Sequence, residues 1–248
     1  MQERPELSKN NERQQRMKKY DIVYFVKETY ENEELRYSLR SVEKNFPHNK
    51  VWFYGGRPDN LEPDERVRVE QNNKTKWLNV RMMLEMACKN DKITEDFWLF
   101  NDDFFVLQPV QELQPLYDGD LPNRIKDIEG RHGNKPSAYT NGLRQAMKML
   151  EGRKLGVLNY AVHMPMLINR KKALEVLAEF PDCAMFRALY GNYCKVGGID
   201  HKDTKIASME REVDPGLDFL STSDLSFIAG KAGEYVRETF KEKCRFEK

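Results

Sequence analysis

The sequence predicts an α/β fold, a sheet with flanking helices, and three observations predict it. Short runs of β-branched and aromatic residues ask for buried strands: Asp21-Ile22-Val23-Tyr24-Phe25-Val26, Val51-Trp52-Phe53-Tyr54 and Phe97-Trp98-Leu99-Phe100. Stretches of helical period lie between them. The two patterns alternate through the first half of the chain, as βα units do and bundles do not. At 248 residues the chain suffices for one domain with a sizeable core, or one domain with an insertion.

The elements follow in order. Residues 1–19 are almost entirely polar, and we expect a flexible N-terminal arm there. The fold starts at Asp21, and a helix is expected from about Glu31 to Asn45, closed by Pro47. The strand Val51–Tyr54 ends at Gly55-Gly56, and Val67-Arg68-Val69 reads as a third strand. Thr75 caps a helix running to about Lys89, with Trp77, Val80, Leu84 and Ala87 on one face. Residues 121–137, punctuated by Pro122, Gly130, Gly133 and Pro136, read as a mobile loop carrying His132. Helices are expected at about 138–150, 170–180 and 185–194, and an irregular segment over 197–218. Phe219-Leu220-Ser221-Thr222 reads as a last strand before a final helix from about Phe227 to Phe240. Residues 20–248 are thus expected to form a single domain.

Composition removes several function classes. With 41 basic and 40 acidic residues the formal charge is +1, which offers no support to a nucleic-acid-coating role. No run reaches transmembrane length, and the N-terminus lacks an apolar signal core, so any membrane contact is expected to be peripheral. Cys88, Cys183, Cys194 and Cys244 are widely spaced with no CxxC pair, as expected of reduced thiols in a cytoplasmic protein.

The strongest local signal is Asn101-Asp102-Asp103, set inside Phe97-Trp98-Leu99-Phe100 and Phe104-Phe105-Val106-Leu107. Two adjacent carboxylates in so apolar a run are costly unless paired or neutralised. A hard divalent cation, Mg²⁺ or Mn²⁺, removes that conflict. A turn between two strands explains the same residues, since Asn and Asp are ordinary turn formers. Placement at the carboxyl end of a strand, where open α/β sheets bind ligands, favours a site.

Further candidates lie on either side. In Asn32-Glu33-Glu34-Leu35-Arg36-Tyr37-Ser38-Leu39-Arg40-Ser41, the cations Arg36, Arg40 and Lys44 share a helix face. They suit either solvent or a phosphate held by the guanidinium forks of Arg36 and Arg40. His163 precedes Met164-Pro165, and Arg170-Lys171-Lys172 opens the next helix against its dipole, which a nearby anion would relieve. Arg187 and Tyr190 share a helix face, and Asp224 is placed to cap the final helix. GxSxG, HExxH, Walker and GxGxxG motifs are absent, and Gly55-Gly56 and Gly197-Gly198 are too short to claim phosphate binding.

With these residues in view, the chain resembles the Stealth family of sugar-phosphate transferases, which includes capsular polysaccharide hexose-1-phosphate transferases and the catalytic region of GlcNAc-1-phosphotransferase. The Asn32–Ser41 run is similar to the family's second conserved region nearly letter for letter. Leu99-Phe100-Asn101-Asp102-Asp103 is similar to its metal motif, and His163-Met164-Pro165 with Ile168-Asn169-Arg170 to its third region. Phe186-Arg187-Ala188-Leu189-Tyr190 and Phe219–Asp224 are similar more loosely to the arginine-bearing helix and the fourth region. These matches span most of residues 21–248 in the family's order. One departure is that Val26-Lys27-Glu28-Thr29 stands where the family's first strand runs into Trp-Val-Asp-Gly, and the helix begins almost at once.

The resemblance implies a GT-A-like nucleotide-diphospho-sugar transferase fold over residues 20–248. It implies a nucleotide-sugar donor, a UDP-sugar above all, and a hydroxyl-bearing glycan or polysaccharide acceptor. The reaction would transfer sugar-1-phosphate in surface or capsular polysaccharide synthesis or glycan modification. Asp102 and Asp103, oriented by Asn101, would hold Mg²⁺ or Mn²⁺ against the diphosphate. Arg36 and Arg40 would bind phosphate oxygens, His163 would be the general base, Arg187 would take a second phosphate edge, and Asp224 would orient His163 or the acceptor. Two other readings use the same residues: a glycosyltransferase attacking the anomeric carbon, and a non-catalytic protein that binds nucleotide sugars or glycans.

Overall fold

The computed structural model describes residues 18–73 and 75–248, so the flexible arm expected over 1–19 lies outside the described residues apart from Lys18 and Lys19. The first half alternates as β1 (Tyr20–Val26), α1 (Glu33–Asn45), β2 (His48–Gly55), β3 (Glu65–Arg68), α2 (Lys76–Lys89) and β4 (Asp96–Phe100). Then come β5 (Phe104–Val106), β6 (Leu116–Tyr117), α3 (Leu121–Arg131), α4 (Ala138–Glu151), β7 (Met166–Asn169), α5 (Arg170–Glu179) and α6 (Phe186–Tyr193). The chain closes with β8 (Ile199–Asp200), β9 (Lys205–Ile206), β10 (Phe219–Thr222), α7 (Asp224–Ile228) and α8 (Lys231–Thr239).

A five-stranded sheet in the order β3-β2-β1-β4-β7 forms the centre. Its first four strands are parallel, and β7 joins antiparallel at the edge. Buried on both faces, β1 and β4 read as unbroken apolar runs. Alternation of side chains divides the core in two. Val23, Trp52, Tyr54, Phe97 and Leu99 point into one layer with α2, α4, α5 and α6. Ile22, Tyr24, Phe53, Trp98 and Phe100 point into the other, against Leu35, Leu39 and Val42 of α1. A second, three-stranded sheet, β5-β10-β9, carries a smaller core with Phe227, Val236 and Phe240 under α7 and α8.

Chain order reverses beside β1: β2 lies on one flank and β4 on the other. The crevice outside their carboxyl ends is where such sheets bind ligands. The glycine pair after β2 serves packing there. Gly55 has φ +117°, and a Cβ on it would stand 2.2 Å from the carbonyl oxygen of Val26. Gly56 would meet the Lys27 carbonyl at 2.3 Å, so the chain leaving β2 lies directly against the chain leaving β1.

The segment 121–137 is corrected. Residues 121–131 form α3 rather than a loop, because Asp120 accepts the N–H of Asn123 as N-cap and Pro122 occupies the first turn, where its missing N–H costs nothing. Leu121, Ile125 and Glu129 give α3 its buried stripe, and His132 is its C-cap residue. The final helix is also corrected. It is two helices, α7 and α8, and Ser223 rather than Asp224 is the N-cap, in a capping box with Ser226. Two of the three cations opening α5 are answered within the protein, since Arg170 donates to the carbonyls of Cys88 and Asn90 and Lys171 to Glu95.

Candidate functional site

Asn101-Asp102-Asp103 is both a turn and a carboxylate cluster, and it joins the two sheets: β4 of the central sheet ends at Phe100 and β5 of the smaller one begins at Phe104. The Phe104 N–H donates to the Asn101 carbonyl at 3.3 Å, closing the turn. The turn therefore points both aspartates out from the carboxyl end of β4. The Asn101 side chain makes no hydrogen bond to either among the described residues; Asn32 holds Asp102. Its Oδ1 caps α1 by accepting the Leu35 N–H, and its Nδ2 donates to Asp102 Oδ2 at 2.8 Å. Asp102 thus meets the positive end of α1.

Asp103 uses only one of its oxygens. Oδ2 accepts from Lys205 Nζ at 2.9 Å and from Ser221 Oγ at 3.0 Å. Oδ1 is buried with no partner. Glu34, in the first turn of α1, accepts from Thr222 Oγ1 at 2.9 Å. Burial and the neighbouring Asp102, Asp103 and Asp224 push its carboxyl up to about 7. Burial, then Asp103, also raises Asp102 above the usual carboxylate range. Four carboxylates gather here, and Lys205 is the one cation hydrogen-bonded to Asp102 or Asp103 among the described residues.

That surplus of negative charge and the orphaned Asp103 Oδ1 fit a divalent cation. No three His, Cys, Asp or Glu side chains among the described residues are grouped to hold a metal. A cation here would take its remaining oxygens from substrate or water, the ordinary habit of Mg²⁺.

His163 stands nearby, its ring edge-on to Phe104 at 6.4 Å between centroids. Its Nδ1 lies 2.8 Å from Asp203 Oδ2, and its backbone N–H donates to Asp203 Oδ1 at 3.0 Å. Arg124 of α3 donates to Asp203 Oδ2 at 2.9 Å. His163 and Arg124 hold the Asp203 carboxyl down at about 2 against the opposing effect of burial. Asp203, Thr204 and Lys205 connect the two clusters: Asp203 binds His163, Thr204 Oγ1 donates to the His163 carbonyl, and Lys205 binds Asp103.

The remaining sequence candidates separate. Arg187 donates to the carbonyls of Met164 and Leu99 at 2.7 and 3.3 Å, bracing the chain beside His163 and at the end of β4. It lies over the Phe104 ring, within electrostatic reach of Asp103 and Asp203, and burial presses its guanidinium down to about 10. Asp224 is exposed and joins the carboxylate group through Glu34 and Asp102, whereas His163 takes Asp203 as its carboxylate partner. Arg40 is turned away from the carboxylates altogether. Its guanidinium forms a bidentate pair with Glu247, both bonds at 2.6 Å, and donates to the carbonyls of Phe240 and Lys241. Arg36 pairs with Glu33 at 3.2 Å, and Lys44 lies over the Phe240 ring. Arg40 and Lys44 therefore face the C-terminal segment, whereas Arg36, paired with Glu33 of its own helix, keeps its Nε buried and without a hydrogen-bond partner. Sequence reading missed Asp203, Lys205, Arg124 and Asn32's contact with Asp102. Only Asn32 left a trace, as a cap residue two positions before Glu34.

No family model matches the chain, and no curated protein matches it. Among solved structures the chain is similar to an active-site mutant of LgtC, at 13% identity over 91% of this chain and 98% of that one, with a TM-score of 0.48. Galactosyltransferase LgtC in complex with donor and acceptor sugar analogues follows at 15% identity, over 68% and 70% of the two chains, with a TM-score of 0.39. The apo-form glycosyltransferase GlyE of Streptococcus pneumoniae TIGR4 stands at 9% identity, over 75% and 46%, with a TM-score of 0.36. Likeness at this level bears on neither donor nor acceptor.

Proposed function

We propose that this chain is a metal-assisted transferase of Stealth type, moving sugar-1-phosphate from a nucleotide sugar to an acceptor hydroxyl, and that residues 20–248 are its catalytic domain. The observation that carries the reading is the linkage, through the three consecutive residues Asp203, Thr204 and Lys205, of an under-donated carboxylate cluster to a histidine backed by a carboxylate. The first suits a cation shared with a diphosphate, the second suits proton removal from a hydroxyl. The resemblance of Asn32–Ser41, Leu99–Asp103 and His163–Pro165 to the family's motifs supports the same assignment.

In this reading Asp102 and Asp103 hold Mg²⁺ or Mn²⁺, which supplies charge neutralisation to the diphosphate. Asn32 fixes the Asp102 carboxylate, and Ser221 and Lys205 fix that of Asp103. His163 takes the acceptor proton at Nε2, because Nδ1 is committed to Asp203. Lys205, bonded to Asp103, and Arg187, within electrostatic reach of Asp103 and Asp203, offer positive charge beside the aspartates, the role the resemblance gives to Arg36 and Arg40. The acceptor oxygen attacks the sugar-linked phosphorus and a nucleoside monophosphate departs.

The test is product analysis with a panel of UDP-sugars, Mn²⁺ and hydroxyl acceptors. UMP release with a sugar-phosphate on the acceptor is expected. UDP release would replace the reading with glycosyl transfer, which the same cation and base also serve. Tight nucleotide-sugar binding with neither product would leave a binding protein.

A further inference from the structure

The resemblance offers Asp224 as the carboxylate beside His163, and the structure places Asp203 there instead. Asp203 reaches His163 through both oxygens: Oδ1 accepts the backbone N–H, and Oδ2 faces Nδ1 at 2.8 Å. A carboxylate fully ionised at neutral pH can only accept, so Nδ1 carries a proton, and in the neutral ring the lone pair is on Nε2. Asp203 is itself held from behind. Arg124 donates to the same Oδ2 at 2.9 Å and spans to Asp118 at 3.5 Å, tying α3 and the strand-like segment before it to this carboxylate. The Asp203 side chain is only 6% exposed, whereas that of His163 keeps 25%. The ring is therefore anchored at Nδ1, whereas Nε2 has no hydrogen-bond partner among the described residues and is not among the buried unpartnered atoms. A simple structural ion pair would need neither the second grip on the backbone nor an open opposite nitrogen.

Resting on the reading of His163 as base, we propose that Asp203, backed by Arg124, is the positioning residue that fixes the His163 tautomer and turns Nε2 toward the acceptor hydroxyl. In the step, the hydroxyl proton passes to Nε2 and the oxygen pair forms the bond to phosphorus. The bond from phosphorus to the nucleoside phosphate breaks, its electron pair leaving on the nucleoside monophosphate. The imidazolium that results lies against the Asp203 carboxylate, which stays ionised throughout. Arg124 and Asp203 thereby give α3 a function that neither its sequence nor its exposure suggested.

Nitrogen-15 NMR of the imidazoles in the full chain, assigned with His163→Ala, tests the tautomer without any substrate. Wild type is expected to show His163 protonated at Nδ1 and bare at Nε2, and Asp203→Asn to shift it toward the Nε2–H form. In turnover, Asp203→Asn is expected to lower kcat about 10²- to 10⁴-fold with donor KM changed less than about threefold. The double variant with His163→Ala is expected to be no slower than His163→Ala alone, since the two residues act as one unit. A wild-type His163 protonated at Nε2, or Asp203→Asn with kcat within about threefold of wild type, would overturn the assignment. Should Asp203→Asn fail to fold, the wild-type tautomer decides. If wild type consumes no nucleotide sugar, the transferase reading falls, and the imidazole spectrum still judges Asp203.

Discussion

At the amino end of the central sheet, Asp21 is 3% exposed and fully provided for. The Trp52 indole N–H donates to its Oδ2 at 2.9 Å, the Thr94 N–H to the same oxygen at 3.2 Å, and the Lys50 N–H to Oδ1 at 3.3 Å. At the carboxyl end, Asp103 leaves one oxygen buried and bare, and Asp102 and Glu34 stand beside it with raised affinities for protons. Both ends bury carboxylates among aromatic residues of β1 and β4. The difference is in the donors. Asp21 is satisfied by the protein, whereas the Asp102–Asp103 cluster is satisfied only in part, as the proposed cation site requires. Glu247 repeats the Asp21 pattern on the flank of α1, where Arg40 pairs with it through two bonds.

Three experiments break or sharpen this contrast. The largest effect is expected for Arg40→Ala, which strands the buried Glu247 carboxylate and should cost about 3–5 kcal/mol in chemical denaturation. Activity per folded molecule should persist, and a specific loss of turnover without loss of stability would return Arg40 to the phosphate. The second is a matched pair at the two ends. Asp102→Asn keeps an acceptor for Asn32 and removes a like charge, so its unfolding midpoint should not fall, while metal-dependent turnover drops about a hundredfold or more, some 2.7 kcal/mol. Asp21→Asn should do the reverse, costing about 1–3 kcal/mol of stability through unmet donors with turnover per folded molecule intact.

The smallest effect is in pH. The Glu34 carboxyl rises from its ordinary 4.5 to about 7 in the folded chain. A raised acid binds more protons folded than unfolded, so its contribution is present below pH 4.5 and is lost as pH climbs through 7. Urea midpoints should therefore fall between pH 5 and pH 8, less steeply in Glu34→Gln and less steeply again with Mn²⁺ present. An unchanged slope in Glu34→Gln would remove the surplus-charge account. Asp203 works with the opposite sign, since its depressed carboxyl stabilises above its ordinary 3.8 and that support is lost as pH falls through about 2.

Most of the fold was legible where apolar period and caps agree. In α1, Asn32 caps and Leu35, Leu39 and Val42 form the stripe; in α2, Thr75 caps. α3 was not legible, because Pro122 and Gly130 read as breakers when Pro122 sits in the first turn and Gly130 in the last, where neither breaks a helix. Asp203 and Lys205 were not legible either. They belong to a short strand and its approach in a segment with no apolar pattern, and their partners lie 40 and 102 positions away. Arg40 was misread for the same reason, since its partner Glu247 is 207 residues distant.

By itself, then, the sequence determined the alternating α/β framework and the place of Asn101-Asp102-Asp103 at a strand end, because period, capping and turn chemistry act over a few neighbouring residues. Only the tertiary structure decided which charges answer which. It gave Arg40 to Glu247, His163 to Asp203, and Asp103 to Lys205 with one oxygen left over. A charge's partner depends on distance in space and on burial, and neither is written in the spacing of residues along the chain.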